Sequence, residues 1–142
     1  MDATELDTKD LPELAAALSA ARLPTGDLGG AGQAFWRFAD AGAVLGYAGL
    51  EVRGTDALLR SVAVSAPARG RGHGRRMIDT VTRLAKARGI ERLWLLTLDA
   101  DGFFARMGFT RAARESAPPS ITALAEFAAL CPATAICMSK AI

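Results

Sequence analysis

The sequence predicts an α/β (α+β) domain with a mixed, mostly antiparallel central sheet flanked by helices. Three observations carry that prediction. Residues 35–64 hold three apolar runs in succession, separated by turn residues, which is the pattern of an antiparallel meander. Stretches with apolar residues spaced by three and four lie on both sides of it. Leu93-Trp-Leu-Leu-Thr-Leu98 is apolar on both faces, as a strand in the middle of a sheet is. With 142 residues, 51% hydrophobic and 23% charged, the chain can build one core, is expected to form one domain over 1–142, and is not disordered.

The elements follow in order. Asp10-Leu-Pro-Glu13 reads as a helix start, with Asp10 as N-cap, Pro12 in the first turn and Glu13 reaching back; Leu11, Leu14, Ala15 and Leu18 then share a face as far as Arg22. Thr25 to Gly32 is a mobile, glycine-rich connection in which Asp27 can cap a short turn. Phe35–Phe38 and Val44–Val52 are strands joined by a turn at Asp40-Ala-Gly42, with Gly46 and Gly49 marking a bulge in the second. Ala57–Val64 is the third strand. Arg75–Arg88 places Met77, Ile78, Val81, Leu84 and Ala85 on one face and ends at Gly89. A short helix over Gly102–Met107, an extended segment Phe109–Ala112, a last helix from Ser120 to Leu130 and a closing strand Ala135–Met138 complete the chain.

Charge and cysteine content narrow the function. A net charge of +2 argues against a polyanion-coating protein, and no nucleic-acid partner is expected. That total is unevenly spread: residues 1–59 carry −5, residues 60–92 carry +7 and residues 93–142 carry 0. Cys131 and Cys137 are too far apart for a C-x-x-C pair and too few for a disulfide framework, so a reducing cytoplasm is expected. The acidic start lacks the features of a signal peptide, and no apolar run approaches the roughly 20 residues of a membrane span, so no membrane partner is expected.

The +7 segment surrounds Arg69-Gly-Arg-Gly-His-Gly74, a glycine loop between a strand and a helix. Backbone N–H groups and the positive end of a helix dipole can together hold a phosphate there. A P-loop would need Lys and then Ser or Thr after Gly74, and a dinucleotide fingerprint would need G-x-G-x-x-G; neither is present. Arg75 and Arg76 oppose the helix dipole and make sense if anions bind beside them.

Arg69, Gly72 and Gly74 match Gln/Arg-x-x-Gly-x-Gly/Ala, and the chain thereby resembles the GNAT superfamily of N-acetyltransferases. The preceding Val62-Ala-Val64 and the later Phe103-Phe-Ala-Arg-Met-Gly-Phe109 are also similar to that family. The resemblance implies the GNAT fold, acetyl-CoA as cosubstrate, acyltransferase activity and a cofactor site made of Val62, Ala63, Val64, Arg69, Gly70, Arg71, Gly72, His73, Gly74, Arg75 and Phe104. It also carries a small-molecule amine acceptor and a homodimer as expectations. More narrowly, Leu58–Val64, Leu95-Leu-Thr97, Phe103-Phe104 and Glu126–Pro132 look like the small acetyltransferases of arsenic-resistance operons, which implies a phosphinic or arsinic glutamate analogue as acceptor.

Acetyl transfer to an amine needs bound CoA, a neutral amine, a stabilised oxyanion and a protonated leaving thiol. A backbone N–H near Val62 or Ala63 would polarise the thioester. Glu51 is the first choice of general base; its other reading is a solvent-facing carboxylate at a strand end. Arg60, a charge inside an apolar strand, either recognises a substrate oxyanion or forms an internal ion pair, with Glu51 a candidate partner. A regular strand would turn Ser61 to the opposite face from Arg60. Trp36 is a core residue or lines the acceptor pocket. No metal site is expected: His73 has no partners at ligand spacing and meets CoA phosphate or solvent. Cys131 and Cys137 are ordinary thiols or, by the subfamily resemblance, arsenic ligands. Phe104 stands where the family usually has a thiol-protonating Tyr, so thiolate leaves through water or another donor, or the chain is a non-catalytic acyl-CoA sensor or interaction module.

Overall fold

The computed structural model describes residues 1–142, the side chain of Ala66 excepted. Seven strands form one sheet: β1 (Asp2–Glu5), β2 (Gln33–Asp40), β3 (Ala43–Arg53), β4 (Asp56–Val64), β5 (Arg92–Thr97), β6 (Thr110–Arg111) and β7 (Ile136–Ala141), in the order β1-β2-β3-β4-β5-β7-β6. β4 and β5 pair in parallel, and each of the other neighbouring pairs is antiparallel. The helices are α1 (Leu11–Ala20), α2 (His73–Ala87), α3 (Asp101–Arg106) and α4 (Pro119–Thr122). A mixed, mostly antiparallel sheet with flanking helices is the expected fold class.

Strand alternation sends side chains to two faces. Trp36, Phe38, Leu50 and Leu59 join Met77, Ile78, Val81 and Ala85 of α2 on one face. Full burial of each large side chain there contributes roughly 1.5–3 kcal/mol. On the other face, Phe35, Tyr47 and Ala63 meet Leu14 and Leu18 of α1, while Leu58 and Trp94 meet Ile121, Leu124 and Phe127 of the C-terminal segment. Arg60, two residues after Leu58, therefore points to the side of α1 and the C-terminal segment. Gly49 faces Arg60 across the β3–β4 ladder, and a Cβ there would come within 2.4 Å of the Phe35 ring. Without that Cβ, Phe35 lies across the position and the Arg60 guanidinium sits 5.6 Å from its ring centre.

Several local expectations are corrected. Asp10 does not cap α1 with its side chain; a tight turn at Thr8–Asp10 precedes the helix, and Asp7 and Asp10 form its reciprocal capping box. Glu13 turns instead to Arg37 and the Tyr47 hydroxyl. β1 is additional: its polar Asp-Ala-Thr-Glu has no alternation to read and becomes a strand by pairing with β2. Ser120 lies inside α4, which starts at Pro119, and the chain then forms a separate π-helical turn at Glu126–Leu130. Among the described residues no helix is long and apolar enough to cross a membrane.

Candidate active site

The site begins where the sheet comes apart. β4 and β5 pair only through Asp56–Leu58 and Arg92–Trp94, and β5 then follows β7 instead. The strands beyond those pairs diverge and leave a cleft of about 550 Å³, lined by Leu59–Val64 of β4, Leu95–Ala100, Phe103, Phe104, Arg22–Pro24 and Glu126 among others. Both parallel strands end at this opening, the usual location of ligand sites in sheets of this kind.

The glycine loop lies at the end of β4. Gly70 and Gly72 both have φ of +77°, which only glycine adopts without strain, and a Cβ on either would meet nothing within 4 Å. Gly72 sits at the N-cap position of α2, and no side chain caps that helix. The first N–H groups of α2 lack intrahelical acceptors and sit at its positive end. Nδ1 of His73 is the one buried side-chain nitrogen or oxygen without a hydrogen bond among the described residues. Arg69 turns back, its Nε–H donating to the Val64 carbonyl at 3.1 Å, and lines the cleft with Gly74. Open backbone donors, glycines with exposed faces and Arg71, Arg75 and Arg76 nearby suit a pyrophosphate. Among the described residues no group of three or more His, Cys, Asp or Glu is placed to hold a metal ion.

The other end of the cleft is organised around Arg60, whose side chain is fully buried. Its two terminal nitrogens donate to the oxygens of Asp27 at 2.7 Å each, and Nη1 also donates to Glu51 at 3.0 Å. Nη2 lies 3.5 Å from Glu126, and Nε donates to the Ser61 hydroxyl at 3.2 Å. Four of the five N–H donors thus have hydrogen-bond partners inside the protein, and the fifth, on Nη2, is on the nitrogen nearest Glu126, so the ion-pair alternative describes Arg60 in this structure. With every carboxylate ionised, Asp27, Glu51 and Glu126 would share one buried cation, Arg60, with the half-buried Arg53 3.7 Å from Glu51, an excess of negative charge that burial makes costly. Asp27 is held below the usual carboxylate range by its hydrogen bonds to Arg60. Glu126, which receives no hydrogen bond from Arg60, is pushed up to about 7, first by burial and then by the nearby Asp27 and Glu51 charges.

Ser61 departs from the expected alternation. Ala63 faces Tyr47 and Arg60 faces Gly49, so Ser61 and Val62 together oppose Ala48: β4 carries a bulge there. Ser61 has φ of +57°, a left-handed conformation uncommon for a residue with a Cβ, and its hydroxyl returns to the side of Arg60. The bulge coincides with the unpaired edge of β4, and Val62 and Ala63 line the cleft there.

Some expected site residues meet and others do not. Val62, Ala63, Val64, Arg69, Gly74 and Phe104 line the cleft, while Gly70, Arg71, Gly72, His73 and Arg75 lie in the adjoining loop and first helical turn. Glu51 is neither solvent-facing nor on the cleft: it is 4% exposed and held behind Arg60 by Gln33, Arg53 and Arg60. Trp36 is in the core beneath Arg88 and does not reach the cleft. Asp27 does not cap a turn with its side chain, which is committed to Arg60. Cys131 lines the cleft as a thiol that burial pushes up to about 11. Glu126 was missed, although it is the one charge in Ala123–Leu130, the same signal that singled out Arg60.

Comparison with known proteins accords with this geometry. A curated mouse (Mus musculus) protein, N-alpha-acetyltransferase 80, is 44% identical over 52 residues, which is 37% of this chain and 17% of that protein. The chain thus spans only a small part of that relative. The structure of Rv2747 from Mycobacterium tuberculosis in complex with CoA and NLQ is similar with a TM-score of 0.79 and 20% identity, covering 100% of this chain and 99% of that one. N-acetylglutamate synthase from Neisseria gonorrhoeae, complexed with coenzyme A and N-acetyl-glutamate, gives a TM-score of 0.73 at 18% identity over 99% of this chain and 35% of that chain. At such identities the likeness is one of fold. The family model for the acetyltransferase (GNAT) family matches residues 3–109, from β1 through α3 and over the whole glycine loop, and on that match this chain belongs to the GNAT acetyltransferase family.

Proposed function

We propose that this protein moves acetyl from acetyl-CoA to the primary amine of a small, amino-acid-like molecule. The observation that carries this is the split between β4 and β5: one cleft is lined by Arg69 and Gly74 of the glycine loop, by the β4 bulge and by Arg60 with Glu126. The amides of Arg71, Gly72, His73 and Gly74 would hold the pyrophosphate of CoA. A backbone N–H at Val62 or Ala63 would polarise the thioester carbonyl, a contribution worth a few kcal/mol in acyl transfer. An amine arriving from the other end would meet the carboxylate side.

Support for an amino-acid-like acceptor comes from the likeness to a structure complexed with CoA and N-acetyl-glutamate. The phosphinic and arsinic glutamate analogues remain in this substrate class, but Arg60 is committed internally. Their anionic group would instead face Arg22, an exposed cation on the lining of the cleft. The rival reading, an acyl-CoA-binding module without turnover, rests on Phe104, which lines the cleft and has no proton to donate. Thiol release from acetyl-CoA, measured with and without glutamate, glutamine, phosphinothricin and an arsinic analogue, tests the proposal. Release that requires one of these amines supports it; tight acetyl-CoA binding without release selects the rival.

A further inference from the structure

Glu126 combines three properties that Glu51 and Asp27 lack. It lines the cleft, which neither of the others does. It is 6% exposed, yet no hydrogen bond reaches its carboxylate among the described residues, and the Arg60 guanidinium stops 3.5 Å away. It also opens the π-helical turn, whose wide bond runs from the Cys131 N–H to the Glu126 carbonyl at 3.0 Å. Single π-helical turns are frequent at functional sites. The Glu126 carboxylate, without a protein donor, is open to a group that enters the cleft.

We propose that Glu126 receives the acceptor's ammonium group and takes its proton, and that Asp27 and Glu51 act behind Arg60 as positioning residues. This rests on the acetyl-transfer reading above. The ammonium gives one proton to the Glu126 carboxylate and becomes a neutral amine. The amine nitrogen forms a bond to the thioester carbon and the carbon–sulfur bond breaks. The second proton shed by nitrogen passes through solvent to the departing CoA sulfur, and the proton on Glu126 returns to solvent. The products are the N-acetyl amide, CoA thiol and one released proton, and the scheme requires no acid at Phe104. Asp27 and Glu51 are taken up by Arg60, with Arg53 3.7 Å from Glu51, which leaves Glu126 as the carboxylate of this group that faces the cleft, beside Cys131, a neutral thiol. Arg114, on the neighbouring loop, is occupied with the carbonyls of Phe127, Pro132 and Ala135.

The test compares wild type, Glu126→Gln and Glu51→Gln in the pH dependence of kcat, with the best acceptor from the amine panel and with acetyl-CoA affinity measured in parallel. Wild type is expected to show an acid limb. Glu126→Gln is expected to lose the limb and about 100-fold or more in kcat, with acetyl-CoA affinity unchanged within twofold. Glu51→Gln keeps the limb but moves it to lower pH, because it removes a negative neighbour of Glu126. A Glu126→Gln protein that keeps the limb and a kcat within threefold of wild type overturns the assignment while leaving acetyl transfer intact. Wild type that transfers to no amine at any pH overturns the acetyl-transfer reading, and this assignment with it.

Discussion

Arg60 grips both carboxylate oxygens of Asp27, a residue 33 positions earlier in the chain, at 2.7 Å each. This pair fastens the connection after α1 to the middle of the sheet. Gln33 assists, its amide donating to the Asp27 carbonyl at 3.0 Å while its oxygen accepts from Gly29 and Gly30. A segment that composition describes as mobile is thereby held against the cleft. Asp27→Asn keeps the shape and removes the charge, and is expected to lower unfolding stability by about 1.5–3 kcal/mol, the range for hydrogen bonds to charged groups. Denaturant unfolding of the two proteins measures the difference.

Glu126 makes stability depend on pH in a defined direction. Its carboxyl is raised in the folded protein from 4.5 to about 7, so between those values the folded state holds more of a proton than the unfolded state does. Its contribution is fully present below 4.5 and is lost as pH rises through about 7. Glu126→Gln removes that loss, so its stability relative to wild type should increase from pH 4.5 to 7 and then level off. Unfolding curves across this range would show it; a constant difference would mean that Glu126 is not raised.

Ser61 tests the bulge. Glycine accepts the left-handed backbone without strain, whereas a β-branched side chain does not. Ser61→Val is expected to cost about 1–2 kcal/mol more than Ser61→Gly, read by thermal or denaturant unfolding. Equal effects would indicate that backbone strain at this position is not what separates the two.

How far the sequence revealed all this depends on how local each cause was. The glycine loop was legible because positive φ at Gly70 and Gly72 is a local requirement that few residues meet. Helix α2 was legible because Met77, Ile78, Val81 and Ala85 repeat at helical spacing. β1 was not, since only its pairing with β2 makes Asp-Ala-Thr-Glu a strand. Arg60 stood out as a charge among apolar neighbours, but its partners are contributed by Asp27, Glu51 and Glu126, which only the folded chain assembles. Glu51 was misplaced for the same reason: strand position alone does not show that a buried cation draws the carboxylate inward. Ser61 could not be oriented because alternation assumes a regular strand, and the bulge breaks it.

The loop is tested by pairing Gly72→Ala with Gly72→Glu. Both place a side chain at φ of +77°, and neither Cβ meets an atom within 4 Å, so backbone strain is common to the two. Only Glu puts a negative charge where the pyrophosphate is expected. Acetyl-CoA affinity by calorimetry should fall at least tenfold further in Gly72→Glu than in Gly72→Ala, since one unfavourable charge contact of about 1.4 kcal/mol already gives tenfold. Equal losses would remove the loop from the CoA site.

The most direct test of acetyl transfer is the mass of the acceptor after incubation with acetyl-CoA and the protein. The expected result is an amine that gains one acetyl group in step with thiol release, with wild type and not with Gly72→Glu. Thiol release without an acetylated amine, or bound acetyl-CoA that is never consumed in the presence of the full amine panel, would contradict it.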